Sequence, residues 1–249
     1  MARSAARLDP ISAFLATMPM RYRELYDVVA AREHAAIVSR RAGAPSHAEL
    51  WRRMPRGGAV LCVVADDQPG LLSYISAALV VHGMDVESAQ AYTRAGVGEA
   101  VDLFWLRRER SVPSPILEAD VARIGLVLRG LVTGTLTIDD VAASASLDRK
   151  APPGTATHVR FDGVSDSGLS TLTVETVDCP GLLLAITRAL HRARVQIVAS
   201  EATTREGRVV DRFTVVELDG APLRAHRRGL LQIEVLSAVE ALALGRSAG

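Results

Sequence analysis

One short pattern occurs twice in this chain, and everything around it repeats in phase. Asp67-Gln68-Pro69-Gly70-Leu71-Leu72 returns as Asp178-Cys179-Pro180-Gly181-Leu182-Leu183, an offset of 111 residues from Gly70 to Gly181. Ile75, Leu79, Val86, Thr93 and Gly96 are met at that same offset by Ile186, Leu190, Ile197, Thr204 and Gly207. After a two-residue gap, Val101-Asp102-Leu103-Phe104 aligns with Val210-Asp211-Arg212-Phe213. Internal self-similarity over this length means one supersecondary unit used twice, so a chain of 249 residues reads as two copies of a small domain.

Within each copy the hydrophobic period changes in a fixed order. Ala59 to Val64 and Leu172 to Val177 are short β-branched runs that end at an Asp and a Pro-Gly pair, as a strand entering a turn does. Leu71, Ile75 and Leu79, like Leu182, Ile186 and Leu190, recur every four residues and predict a helix. Val86–Thr93 and Val195–Thr204 then lead through Gly96 or Gly207 into Ala100–Leu106 and Val209–Leu218, antiparallel strand pairs with a hairpin turn. A second helix follows, carried by Leu117, Val121, Ile124, Leu128 and Leu131 in the first copy and by Leu230, Ile233, Leu236 and Val239 in the second. One more strand per copy completes a four-stranded antiparallel sheet with two helices on one face, a ferredoxin-like α+β sandwich. Thr157–Phe161 is the candidate in the second copy, whereas Ala48 to Gly58 leaves the first copy's strand open. Residues 1–56 read as an N-terminal helical segment and linker, 57–143 as the first domain, 144–155 as a solvated linker and 156–249 as the second domain.

Composition narrows the function. Lys and Arg number 29 against 28 Asp and Glu, so no excess of charge draws the chain to nucleic acid or an anionic membrane. The clusters Arg107–Arg110 and Arg224–Arg228 lack interleaved aromatics and read as solvated faces. Cys62 and Cys179 are far apart and without metal-ligand spacing, which predicts buried thiols in a reducing compartment. The apolar run near the N-terminus is broken by Asp9 and Pro10, and no apolar stretch reaches the roughly 20 residues of a membrane span. A cytoplasmic location, with no cofactor and no bound metal, is the expectation.

The repeated Asp-x-Pro-Gly-Leu-Leu, with Asp-x-Phe in the later strand, resembles the ACT domain. Met18-Pro19-Met20-Arg21-Tyr22 leading to His34, Val159–Asp162 and Asp211–Phe213 make the chain similar in particular to the paired ACT domains that end the bifunctional PII uridylyltransferase/uridylyl-removing enzyme. That family's nucleotidyltransferase domain has a Gly-Ser turn, and its hydrolase domain has a His-Asp pair; neither dipeptide occurs here. The resemblance therefore implies a tandem ACT-domain regulatory protein without catalytic residues. It implies a small amino acid as ligand, glutamine foremost, and a homodimer or a regulatory protein as partner in nitrogen regulation. A ligand-free dimerisation module and a regulatory fragment of a larger enzyme are the alternatives. Where the family has Asp-Arg-Pro-Gly, this chain has Gln68 and Cys179, which removes a basic side chain from each turn.

The candidate site follows from the turns. A strand-to-helix turn offers unpaired N–H groups and the positive end of the helix dipole to a carboxylate. The second turn, Asp178, Cys179, Pro180, Gly181, Leu182 and Leu183, together with Ile197, Val198 and Ala199, is the expected pocket, with Asp178 on the ligand's ammonium. Asp67, Gly70 and Leu71 form its counterpart. Helix capping by Asp67 and Asp178 is the simpler alternative. Asp102 and Asp211 lack any second carboxylate or His nearby in sequence and read as surface or edge residues. Asp139 and Asp140 read as a helix cap. His34 and His191 read as packing residues, and Gly96-Val97-Gly98 lies between strands, which excludes a dinucleotide loop.

Overall fold

The computed structural model describes residues 9–108, 114–145, 156–162 and 169–244. Helices α1 (Pro10–Thr17), α2 (Met20–Leu25) and α3 (Val28–Arg40) come first. The first unit is β1 (Ser46–Arg53), β2 (Ala59–Asp66), α4 (Leu71–Val81), β3 (Met84–Arg94), β4 (Glu99–Arg108) and α5 (Glu118–Val132). A short α6 (Ile138–Ser144) follows. The second unit is β5 (His158–Phe161), β6 (Ser170–Val177), α7 (Leu182–Arg192), β7 (Val195–Arg205), β8 (Arg208–Glu217) and α8 (Ala225–Ala243). All but Ser144 and Ala145 of the expected linker lie outside the described residues, as do Glu109 and Arg110 of the first basic cluster.

The two sets of strands form one antiparallel sheet of eight, in the order β1-β2-β4-β3-β7-β8-β6-β5. The four strands expected of each copy are the two halves of one continuous sheet, with a pseudo-twofold axis between β3 and β7. Gln90, opposite Glu201, occupies the same position of the repeat, so the axis passes between these two residues. The strand that sequence left open in the first copy is β1, which lies inside the segment read as helices and linker. In both units the added strand precedes the repeat and pairs with its first strand.

The irregularities repeat too. Register shifts fall between Val86 and Ser88 and between Ile197 and Ala199, equivalent places in β3 and β7. The two-residue gap lies in the hairpins: Arg94 pairs with Glu99 in the first, but Arg205 pairs with Arg208 across Glu206 and Gly207 in the second. Both central residues of that shorter turn have positive φ, 52° and 74°, as a two-residue hairpin requires.

Helices α4, α5, α7 and α8 cover one face and share a single core with the sheet. Helix α8 buries Leu231, Val235 and Val239; of the stripe that the sequence suggested, Val239 alone is fully buried. Leu230 and Ile233 are 53% and 65% exposed. Apolar residues lie all round this helix, so periodicity alone does not choose the buried side. At the start of α6 it is Thr137 that caps; Asp140 accepts its hydroxyl at 2.6 Å and Asp139 reaches Arg188 of α7 at 2.7 Å.

On the other face α1–α3 cover the first unit and reach β7 of the second through the Arg21–Glu201 ion pair. Val60, Cys62, Val64 and Leu103 point away from α4 and form a second core with Phe14, Tyr22 and Ile37 of α1–α3. At the equivalent positions the second unit has Thr171, Thr173, Glu175 and Arg212, and Thr173 is buried there with its hydroxyl donating to Asp162 at 2.6 Å. Tyr22 is the centre of this layer, fully buried, edge-on to Phe14 and Tyr92, with its hydroxyl 2.6 Å from His34 Nδ1. Tyr22→Ala should lower the free energy of unfolding in urea by about 3–5 kcal/mol, the range for truncating a buried aromatic residue.

Candidate functional site

Each Pro-Gly turn places its glycine in the left-handed region, Gly70 at φ 87° and Gly181 at φ 80°, immediately before a helix. No side chain caps either helix. The capping role considered for Asp67 and Asp178 is therefore corrected. Asp67 instead accepts the Thr93 hydroxyl at 2.9 Å, while Asp178 lies 3.5 Å from Arg107. The backbone of each aspartate is pinned to the opposite hairpin: Asp67 N donates to Gly98 O and Asp178 N to Gly207 O, both at 2.9 Å. The glycines thus free the first helical N–H groups of a capping side chain, and the aspartates hold the turn to the sheet.

Because β3 and β7 run antiparallel across the axis, the start of β7 lies beside the first turn and the start of β3 beside the second. Two small cavities result, each of about 30 Å³ and each built from both units. The first joins Asp67, Gln68, Gly70, Leu71, Leu72 and Ser73 to Thr187, His191, Val195, Ile197 and Val198. The second joins Asp178, Cys179, Gly181, Leu182 and Leu183 to Ser76, Val80, Met84, Asp85 and Val86.

The residues expected to make one pocket are consequently divided. Asp178, Cys179, Gly181, Leu182 and Leu183 line the second cavity, whereas Ile197 and Val198 line the first, together with Asp67, Gly70 and Leu71. Pro180 and Ala199 line neither cavity. Val198 is the extra residue of the β7 bulge. Sequence grouped it with the nearer turn because adjacency along the chain is visible and pairing across an axis is not.

Asp102 and Asp211, read from sequence as surface or edge residues, are buried on the central strands β4 and β8, one in each cavity. Tyr92 N donates to Asp102 Oδ1 at 3.2 Å, while Asp211 Oδ1 has no partner. Burial raises both carboxyls to about 8, with the nearby Asp67 and Asp178 acting in the same direction. Their signal in the sequence was the matched spacing: Asp-x-Phe recurs in phase with Phe104 and Phe213, both core residues, so the aspartates two positions earlier share the inward face.

Three polar groups single out the first cavity. Ser73 Oγ and Gln68 Nε2 are buried without a hydrogen-bond partner. His191 lies against Gly70, where any Cβ would overlap its ring, and its imidazole meets Tyr74 edge-on at 5.8 Å. Burial lowers the His191 pKa, which favours the neutral ring. Cys62 and Cys179 are both buried thiols, and burial pushes Cys179 up to about 11. No helix of the described residues is long and apolar enough to cross a membrane.

No family model matches the chain. It is 28% identical over 256 aligned positions to a bifunctional uridylyltransferase/uridylyl-removing enzyme of Rhodospirillum rubrum, spanning 93% of the chain and 26% of that protein. The enzyme of the same description from Gluconobacter oxydans is 30% identical, over 78% of the chain and 21% of its own length. The chain thus spans about a quarter or less of the curated relatives it matches. Among solved structures, an aspartate kinase from Synechocystis aligns over 78% of the chain with a TM-score of 0.23 and 11% identity. An unknown protein from Galdieria sulphuraria aligns over 76% with a TM-score of 0.22 and 16% identity.

The buried aspartates make stability depend on pH. An unfolded Asp ionises near pH 4, the folded ones near 8. Between these values the native state holds a proton that the unfolded chain has lost, so this contribution is full below about pH 4 and is lost as pH rises towards 8. Each carboxyl should contribute a slope of about 1.4 kcal/mol per pH unit. Asp102→Asn and Asp211→Asn should each flatten the fall in unfolding free energy measured in urea from pH 5 to pH 8.

Proposed function

Starting from its similarity to part of the bifunctional uridylyltransferase/uridylyl-removing enzymes, we propose that this chain is a regulatory, ligand-sensing module that binds a small amino acid between its two units. Glutamine is the first candidate, and the regulated process belongs to nitrogen metabolism. The observation that carries this reading is the pair of cavities at the axis. Each brings a helix N-terminus, suited to a carboxylate, and a buried aspartate, suited to an ammonium, to one place. Those are the two charged groups that every free α-amino acid carries.

A cavity of about 30 Å³ admits water but not an amino acid, so binding requires the units to part or a plugging side chain to swing. Because each cavity has walls from both units, a ligand that fits only the opened form shifts the arrangement of one unit against the other. Regulation follows from that linkage and requires no catalytic group in the chain. An output surface is available on the helical side, where α7, α8 and α6 border an open groove of about 760 Å³ lined by Leu184, Ala189, Ile233 and Leu242. We take that groove as the place where a second copy or a regulated protein reads the change.

Calorimetric titration of the chain with each of the twenty amino acids is the test. The expected result is saturable binding of glutamine or a similar small polar amino acid with micromolar to millimolar affinity. Flat traces for all twenty would leave the groove, and with it a ligand-free interaction module, as the function.

A further inference from the structure

The two cavities occupy equivalent places yet differ in chemistry. The repeat counterparts of Gln68, Ser73 and His191 are Cys179, Leu184 and Val80; Cys179 and Val80 line the second cavity, whereas Leu184 lines the groove beside α8. The second cavity thus has none of the three polar groups of the first, and its own polar lining is Ser76, Asp85, Asp178, Thr204 and Asp211. Ser73 is 1% exposed, lies in the first turn of α4, and its hydroxyl has no partner within the protein. The Gln68 amide nitrogen is unsatisfied in the same cavity. Buried polar atoms in folded proteins are almost always hydrogen-bonded, and two orphans in one small space indicate partners that arrive from outside.

Resting on the amino-acid-binding reading above, we propose that the first cavity alone is the ligand site and that it selects a neutral polar side chain through Ser73 and Gln68. The ligand's carboxylate meets the Leu72 and Ser73 amides at the α4 N-terminus. Its ammonium faces Asp102, whose ionised form an arriving positive charge favours. The side-chain amide or hydroxyl bonds to Ser73 Oγ and the Gln68 side chain. His191 plugs the entrance by lying on Gly70, and it belongs to α7 of the other unit. Entry of the ligand therefore displaces a residue of the second unit, which makes that unit the reader of a site built on the first. This assignment favours the first turn over the second, where sequence placed the pocket.

Two of the substitutions that test this exchange residue 68 with its counterpart 179, and the third removes the Ser73 hydroxyl. The full chain is titrated calorimetrically with glutamine, asparagine, serine and leucine as wild type and as Ser73→Ala, Gln68→Cys and Cys179→Gln, after circular dichroism has verified each fold. One equivalent of a polar amino acid should bind the wild type. Ser73→Ala and Gln68→Cys should each weaken it about 5- to 10-fold, the loss of one hydrogen bond, and Cys179→Gln should leave it unchanged. Gln68 lies in the turn and is partly exposed, so its variant keeps the test open if the α4 substitution impairs folding. Two equivalents, preference for leucine, or unchanged affinity in both first-cavity variants overturns the assignment while leaving amino-acid binding in place. No binding of any amino acid by the wild type removes the underlying reading itself.

Discussion

The pairing of β3 with β7 is the contact on which the rest depends. Ser88 to Ala91 meet Thr203 to Ser200 in antiparallel register, and this short ladder converts two four-stranded units into one sheet. It also hides an edge that each unit would otherwise expose to foreign strands. The ladder sets the geometry of the site, because antiparallel pairing about Gln90 and Glu201 brings each Pro-Gly turn opposite the other unit's strand and helix. Helices α4 and α7 then pack together over the axis in the common core, so neither unit moves without disturbing both cavities. The first unit's Arg107 adds a polar tie, reaching Asp85 at 2.7 Å and the second unit's Asp178 at 3.5 Å.

The copies have kept the skeleton and diverged where they face different surroundings. Turns, bulges, the inward Asp-x-Phe and the left-handed glycines are shared because each is fixed by backbone geometry. The outer sheet face is not shared. Val60, Cys62 and Val64 of β2 are buried under α1–α3, whereas Thr171, Thr173 and Glu175 stand at the same positions of β6. A strand buried on both faces must be apolar throughout and a strand solvated on one face must alternate. The apolar run of β2 therefore marks the strand that the N-terminal helices cover, whereas Thr173 of β6 is buried with its hydroxyl satisfied by Asp162 at 2.6 Å. Tyr26, hydrogen-bonded to Gln90 at 2.5 Å, carries that layer to the axis itself.

Much of this was legible in the chain. The repeat, its strand-helix-strand-strand-helix order, the His158–Phe161 strand and the hairpin glycines follow from period and turn chemistry, which are local. β1 was not legible, since His47, Glu49 and Arg52 give Ser46–Arg53 a polar alternation that reads as linker until β2 lies beside it. The buried side of α8 was ambiguous because Leu230 and Leu231 serve two stripes equally well. The site was legible as a kind of place, a helix N-terminus beside a glycine, but not as a set of residues. Ile197 and Val198 lie 16 and 17 residues beyond Gly181 in sequence and yet face the first turn, a relation that exists only through the axis.

Polar groups retained in the core reveal more about such a site than its apolar lining. Burial disfavours the charged form of each of the two aspartates on β4 and β8, a cost that an apolar residue would avoid. Positions that break the local rules of a well-packed core are where function is found to reside. Both cavities break them at the aspartate, so that feature belongs to what the two copies have in common. Asp211 Oδ1 is unpartnered in the second cavity, but unsatisfied donors, Ser73 Oγ and Gln68 Nε2, are found in the first, where the repeat counterparts are Leu184 and Cys179. A purely architectural repeat has no reason to keep two unsatisfied donors on one side of its axis and lose them on the other. On the reading proposed above, the asymmetry belongs to recognition rather than to folding.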